Sequence, residues 1–327
     1  MKYIWGIIAA SMLMVACGTT KKSESEEQKA VSITFSADSA YNYCAAQCQY
    51  GPRTMNSEAH EKCGEWIAQQ FEKYGCEVEL QKADLKGYDG TILKSTNIIA
   101  RSPKSDKPRI MICAHWDSRP WADNDPDEAN WKKPVMAAND GASGVAVMLE
   151  LARLLQQNDS ANVAVDFICF DAEDWGTPQW EDDSDASSWA LGAQYWAKEY
   201  VSSLNTSPST YQYGILLDMV GGQSATFYRE YYSMKYAQSI VEKVWQAASI
   251  AGYGSYFPNK DNGGITDDHL PVNEVANIPC IDIISHYPDC QQSNFGPTWH
   301  TVSDDMEHID KNTLQAVGQT LIQLIFG

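Results

Sequence analysis

Val163-Ala-Val-Asp-Phe-Ile-Cys-Phe170, together with the polar run Asp171-Ala-Glu-Asp174 that follows it, decides how this chain folds. The first run is almost wholly apolar, rich in β-branched and aromatic side chains and too short for a helix, so it reads as a strand buried on both faces. Its carboxylates come just past the carboxyl end. Two other runs repeat the arrangement: Arg109-Ile-Met-Ile-Cys-Ala114 leads into His115 and Asp117, and Tyr213-Gly-Ile-Leu-Leu217 leads into Asp218. In an open α/β sheet, ligands bind in the crevice outside the carboxyl ends of the strands, so these separate segments would deliver their polar groups to one place. Such convergence builds a metal site.

The segments between fit this reading. Ser57 to Tyr74 has the apolar spacing of an amphipathic helix, with Trp66, Ile67 and Phe71 on one face and Gly75 ending it. Cys76 to Gln81 and Gly90 to Ala100 read as strands. Ser143 is expected to cap a helix that carries Val147, Leu151, Leu154 and Leu155 on one face and returns the chain to Val163. Trp189 to Tyr200 and Tyr236 to Ser249 predict further helices, Pro279 to Ser285 a further strand, and Asp310 the cap of a closing helix through Ile325. Alternating strands and helices predict an α/β fold, three-layer α/β/α with a mostly parallel mixed central sheet. Two stretches break the pattern. Arg119 to Pro134, with Trp121 and Trp131, and Gly176 to Ser188, with Trp180, are too long for turns and lie beside strand ends, where binding function concentrates.

The chain opens with Met1-Lys2 and an apolar stretch to Ala16 that is too short to span a bilayer, which reads as a signal peptide over residues 1–16. Met14-Val15-Ala16-Cys17 resembles a bacterial lipobox, making Cys17 the expected lipidation site. Residues 17–29 are polar and aperiodic, a lipidated tether, and residues 30–327 are expected to form one catalytic α/β domain in an exported envelope lipoprotein, on the periplasmic side or the cell surface. A net charge of −19 excludes nucleic acid as a partner, because phosphate binding needs clustered Lys and Arg, and leaves a lipid anchor as the membrane contact. Besides Cys17 there are eight cysteines and no CxxC pair; Cys113 and Cys169 sit inside strands and read as small core residues. Spacing alone does not pair them.

Histidines number only six. His60, His286 and His308 read as structural. His115 falls at a strand end, and His300 follows Trp299 and precedes Asp304-Asp305. Zinc at catalytic sites takes three nitrogen or oxygen ligands and keeps one position open, and Asp140, Asp174 and His300 would supply that set. Glu173, next to one ligand, is placed to act as a general base.

His115-Trp-Asp117, Asn139-Asp140-Gly-Ala-Ser-Gly144, Asp171-Ala-Glu-Asp174, Leu217-Asp218-Met219 and Trp299-His300-Thr301 together resemble the ordered zinc motifs of the M28 metallopeptidase superfamily, with its zinc exopeptidase-like fold, over Asn97 to Gly327. Within it, Gly263-Gly-Ile-Thr-Asp-Asp-His-Leu-Pro271 and Gly296-Pro-Thr-Trp-His300 are similar to the glutaminyl-peptide cyclotransferases, which close an N-terminal glutamine into pyroglutamate using one zinc. Carried over, the resemblance implies that Asp140, Asp174 and His300 hold the zinc and that Glu173 is the acid/base. It also implies that Asp218 and Asp267 form an acidic network beside Glu173, and that Trp180, Ile265 and Trp299 contact substrate. Asp174 departs from the glutamate of animal cyclases.

The substrates implied are peptides or proteins with N-terminal Gln. A di-zinc aminopeptidase of the same superfamily is the first rival, with His115, backed by Asp117, and Asp218 holding a second metal bridged by Asp140. A non-catalytic binding domain on the same fold is the other. Oligomeric state is not written in the sequence.

Overall fold

The computed structural model describes residues 1–2, 29–181, 185–204 and 210–327; the expected export signal from residue 3 on, Cys17 and the tether up to residue 28 lie outside the described residues. The buried runs pair into one sheet of seven strands: β1 (Glu77–Lys86), β2 (Ile92–Arg101), β3 (Arg109–His115), β4 (Ala164–Phe170), β5 (Gly214–Asp218), β6 (Thr226–Phe227) and β7 (Cys280–His286). Their order is β1-β2-β4-β3-β5-β7-β6. The pairs β4–β3, β3–β5 and β5–β7 are parallel, while β1–β2, β2–β4 and β6–β7 are antiparallel, so only β2 and β6 run against the rest. The parallel centre is covered on both faces. Every residue of β4, β5 and β7 is buried, which explains why these strands read as largely apolar runs, interrupted at Asp166 in β4 and Asp282 in β7.

Helices α1 (Ala37–Cys48), α2 (Glu58–Lys73), α3 (Ala142–Gln157), α5 (Tyr231–Ile250) and α7 (Lys311–Phe326) share one core with the first face, built from residues such as Phe71, Val145, Phe167, Val244 and Leu321. Helices α4 (Leu191–Ser203) and α6 (His269–Glu274) cover the second face through Trp196 and Val272. This is the expected three-layer α/β/α architecture. Each such large apolar side chain taken from water contributes about 1.5–3 kcal/mol. The chain leaves β3 through α3 on one face to reach β4, then crosses through α4 on the other face to reach β5. A crevice therefore opens where the winding reverses, at the carboxyl ends of β3, β4 and β5. Gly144 is required there, since a Cβ would strike the Leu217 carbonyl where α3 rests on β5.

Several boundaries differ from expectation. Ser143 does not cap α3. The N-cap is Gly141, and Ser143 lies within the helix, its hydroxyl donating to the Asn139 carbonyl and accepting from the Val220 N–H. Helix α5 starts five residues before the expected Tyr236, because the Glu230 carboxylate accepts the Tyr232 and Ser233 N–H groups at its open end. The eight cysteines from Cys44 to Cys290 are all free thiols, and Cys113 and Cys169 are fully buried in the sheet.

Candidate metal centre

Strand β3 ends on His115, whose buried imidazole has Nε2 3.0 Å from Asp140 Oδ1 and 3.3 Å from Asp218 Oδ1, at the end of β5. Two residues on, Asp117 accepts the backbone N–H groups of Glu173 and Asp174, each at 3.1 Å, and so ties the end of β4 to the end of β3. Asp140 is set by its neighbours. Its own N–H and that of Asn139 donate to the Asp304 carboxylate, and the following Gly141 takes φ +104°, with no room for a Cβ against the Asp117 carbonyl at 2.8 Å. His300 arrives from the loop after β7. Its Nε2 lies 3.3 Å from Asp174 Oδ1 and 3.6 Å from Asp140 Oδ2.

One donor atom from each of Asp140, Asp174 and His300 therefore falls within 4.8 Å of the others. These residues fit a metal. Asp174 Oδ2 is buried without a hydrogen-bond partner among the described residues, and two carboxylates with one imidazole are a zinc donor set that leaves a position open. His115, Asp140 and Asp218 form a second group that meets the same distance limit and shares Asp140. Three non-glycine residues at this crevice, Ala172, Met219 and His300, hold left-handed backbone with φ near 50°. Strain of this kind persists only where the surroundings impose it, and here it turns the chain sharply so that the adjacent Glu173, Asp218 and His300 itself face inward.

Burial, and then the Asp174 charge, push the Glu173 carboxyl well above its usual range. Burial works the same way on Asp174, but His300 and Arg119 outweigh it and hold that carboxyl low. Burial and then Asp174 raise Asp140. The adjacent carboxyls of Glu173 and Asp174 are thus shifted in opposite directions by their surroundings. Burial would lower His115, yet Asp117, Asp140 and Asp218 raise it well above the ordinary histidine value.

The family-scale comparison agrees with this geometry: the model of peptidase family M28 matches residues 97–325. The chain belongs to peptidase family M28. The crystal structure of a glutaminyl cyclase from Bacteroides thetaiotaomicron, bound to N-acetylhistamine, is 48% identical, covers 90% of this chain and 99% of its own, and superposes with a TM-score of 0.85. A leucine aminopeptidase precursor from the same organism is 47% identical, with 91% and 99% covered and a TM-score of 0.85. Aminopeptidase YwaD of Bacillus subtilis is 29% identical over 75% of this chain, which spans only 47% of that relative's length.

In this M28 chain a cavity of about 260 Å³ opens above the metal residues, lined by Asp140, Glu173, Asp218, Asp267 and His300 on its polar side. Trp189, Ile265, Phe295 and Trp299 line its apolar side. Trp299 stacks on His300 at 3.9 Å between ring centroids, and Trp189 lies parallel to the same imidazole at 6.0 Å. Trp180 is not in this wall. It stacks on Trp131 at 6.3 Å and holds Lys132 over its face, so the expectation for Trp180 is corrected in favour of Trp189. Sequence reasoning also passed over Arg119 and Asp123. Arg119 is 1% exposed, pairs with Asp123 through two hydrogen bonds of 2.7 Å, and lies over the Trp189 ring, while Asp123 in turn approaches His300 Nδ1 at 3.4 Å. Only the place of Arg119 at the head of a long loop signalled it.

Proposed function

We propose that this chain is a zinc-dependent glutaminyl-peptide cyclotransferase that converts N-terminal glutaminyl residues of peptides or proteins to pyroglutamate with release of ammonia. The observation that carries the reading is the cavity: Glu173 faces a space of about 260 Å³ between carboxylates and four apolar walls. That is below the ~300–1,000 Å³ of sites for larger ligands, and it suits one folded side chain. The 48% identical glutaminyl cyclase supports the same choice.

Asp140, Asp174 and His300 would hold one catalytic zinc, which when bound supplies Lewis acidity toward the side-chain amide carbonyl of the glutamine. Glu173 takes the proton from the attacking α-amine and returns it to the departing nitrogen, so the C–N bond that forms and the one that breaks share a single proton carrier. Trp189, Trp299, Phe295 and Ile265 hold the side chain curled toward its own amine, which makes the attack intramolecular, and they keep water out. Asp218 and Asp267 line the same cavity, and the Asp267 charge adds to the rise of the Glu173 carboxyl.

A second reading, the di-zinc aminopeptidase, is favoured by the convergence of His115, Asp140 and Asp218. Mass spectrometry of a Gln-initiated peptide incubated with the zinc-loaded protein separates the two. Loss of ammonia from an otherwise intact peptide is expected, and a peptide shortened by its first residue would overturn the proposal. The proposal includes export with a lipid on Cys17 and one catalytic unit over residues 30–327, a reading that rests on the amino-terminal sequence. Cys17→Ser should leave the protein free of incorporated labelled palmitate.

A further inference from the structure

Arg53, in the loop between α1 and α2, is 0% exposed, and the hydrogen bonds of its guanidinium all go to main chain. Nε donates to the Trp116 carbonyl at 3.1 Å, Nη1 to that of Met136 at 2.7 Å and Nη2 to that of Ala137 at 2.7 Å. Burying a charge without a counter-charge is costly, and an apolar brace would hold a loop at lower cost. The choice of a guanidinium therefore points to what its fork fixes.

The two segments that Arg53 joins carry the two halves of the site. Trp116 stands between His115 and Asp117, and Asp117 accepts the N–H groups of Glu173 and Asp174. Met136 and Ala137 lead through Ala138 and Asn139 into Asp140. Ala137 has φ 57°, left-handed backbone that a residue with a Cβ keeps only where its surroundings impose it. Arg53 holds the carbonyls on both sides of the Ala137 Cα, and so imposes it. We infer that Arg53 is a positioning residue for the cyclisation: through Trp116 and Ala137 it sets Asp140, of the metal group, against Glu173, the proton carrier.

Arg53 is itself held. Its N–H donates to Ser118 Oγ at 3.0 Å and its carbonyl accepts the Ser118 N–H at 3.1 Å, so main chain as well as side chain is pinned to the end of β3. Helix α1 supports the second segment from alongside, the Cys44 thiol donating to the Ala138 carbonyl at 3.0 Å and the Gln47 amide to the Ala142 carbonyl at 2.9 Å. A lysine ammonium is a point charge on a flexible stem and does not reproduce a rigid fork that reaches three carbonyls at once. The apolar wall of the cavity comes from other segments, with Trp189, Ile265, Phe295 and Trp299. Loss of the fork should therefore disturb the metal and proton-carrying residues while leaving the surface that holds the glutamine side chain.

The inference rests on the cyclase reading, which the unaltered zinc-loaded protein tests first with a Gln-initiated peptide. Arg53→Lys and Arg53→Met are then compared with it, per folded molecule, in kcat, in KM and in zinc affinity by competition with a chelator. In both variants kcat should fall about 10²-fold, the effect of a displacement of about 1 Å at the reacting groups, with KM nearly unchanged. Zinc affinity should drop about tenfold or more. A residue that only supports the fold would lower the thermal midpoint and leave kcat and zinc affinity of the folded molecules as they were, and that result overturns the inference. So does full recovery of both by Arg53→Lys, or a loss confined to KM. Failure of both variants to fold overturns it as well, because the guanidinium would then hold the domain and not the site. If the unaltered protein does not cyclise, the cyclase reading falls, and zinc affinity alone decides whether Arg53 positions the metal residues.

Discussion

Asp166 in β4 and Asp282 in β7 are both central-strand aspartates with 1% exposure, and their surroundings are opposite. Asp166 accepts from Arg109, from the Ser102 N–H at 3.0 Å and from the Tyr211 hydroxyl at 2.9 Å. Among the described residues, none donates a hydrogen bond to the Asp282 side chain. Equal burial therefore marks more than one thing: a partnered acid such as Asp166 holds the scaffold, whereas Glu173, buried but facing the cavity, is placed for chemistry. If this is right, substitutions of the two kinds should fail in different assays. Glu173→Gln should lower kcat/KM for a Gln-initiated peptide by about 10²–10⁴-fold with no change in thermal midpoint, and turnover within tenfold of the unaltered protein would break the division. Asp166→Ala should do the reverse. Leaving Arg109 and Tyr211 without their acceptor should cost about 3 kcal/mol in urea unfolding, with turnover per folded molecule unchanged.

The sequence revealed most where periodicity and burial act together. Strands β3, β4, β5 and β7 were legible because both faces are covered, which favours largely apolar runs, and the ends of β3, β4 and β5 located His115, Glu173, Asp174 and Asp218. The errors fall where backbone direction depends on distant contacts. Ser143 looked like a cap by its residue type, but the tight approach of Gly141 to His115 and Asp117 starts α3 earlier. Trp180 and Trp189 lie at either end of one irregular loop, and no period distinguishes them. What separates them is Arg119, which stacks on Trp189 at 4.7 Å and so holds that ring beside His300. Trp189→Ala should therefore lower kcat/KM by about tenfold, chiefly through KM. Trp180→Ala should change it by less than half that factor. Equal effects would return Trp180 to the wall.

The smallest effect expected is at Asp125, a partnered acid that belongs to none of the candidate metal groups. Its Oδ1 accepts from the Asp127 N–H and the Asn130 amide, and its Oδ2 from the Val302 N–H at 3.1 Å, so this carboxylate ties the Trp121–Trp131 loop to the segment just past His300. Burial would raise its pKa, but the Asn130 amide and the two backbone donors outweigh that and lower it. A carboxyl lowered in the folded state stabilises the fold above the ordinary aspartate value of about 3.9, and that contribution disappears as pH falls through the lower folded value. Asp125→Asn should accordingly cost about 1 kcal/mol at neutral pH in urea unfolding. The gap should close as the titration passes below about pH 3.9, because the protonated acid then binds no better than the amide. A gap that stayed constant down to acid would mean that shape at Asp125, and not charge, joins the two loops, and partnered acids would lose their standing as electrostatic scaffolding at this rim.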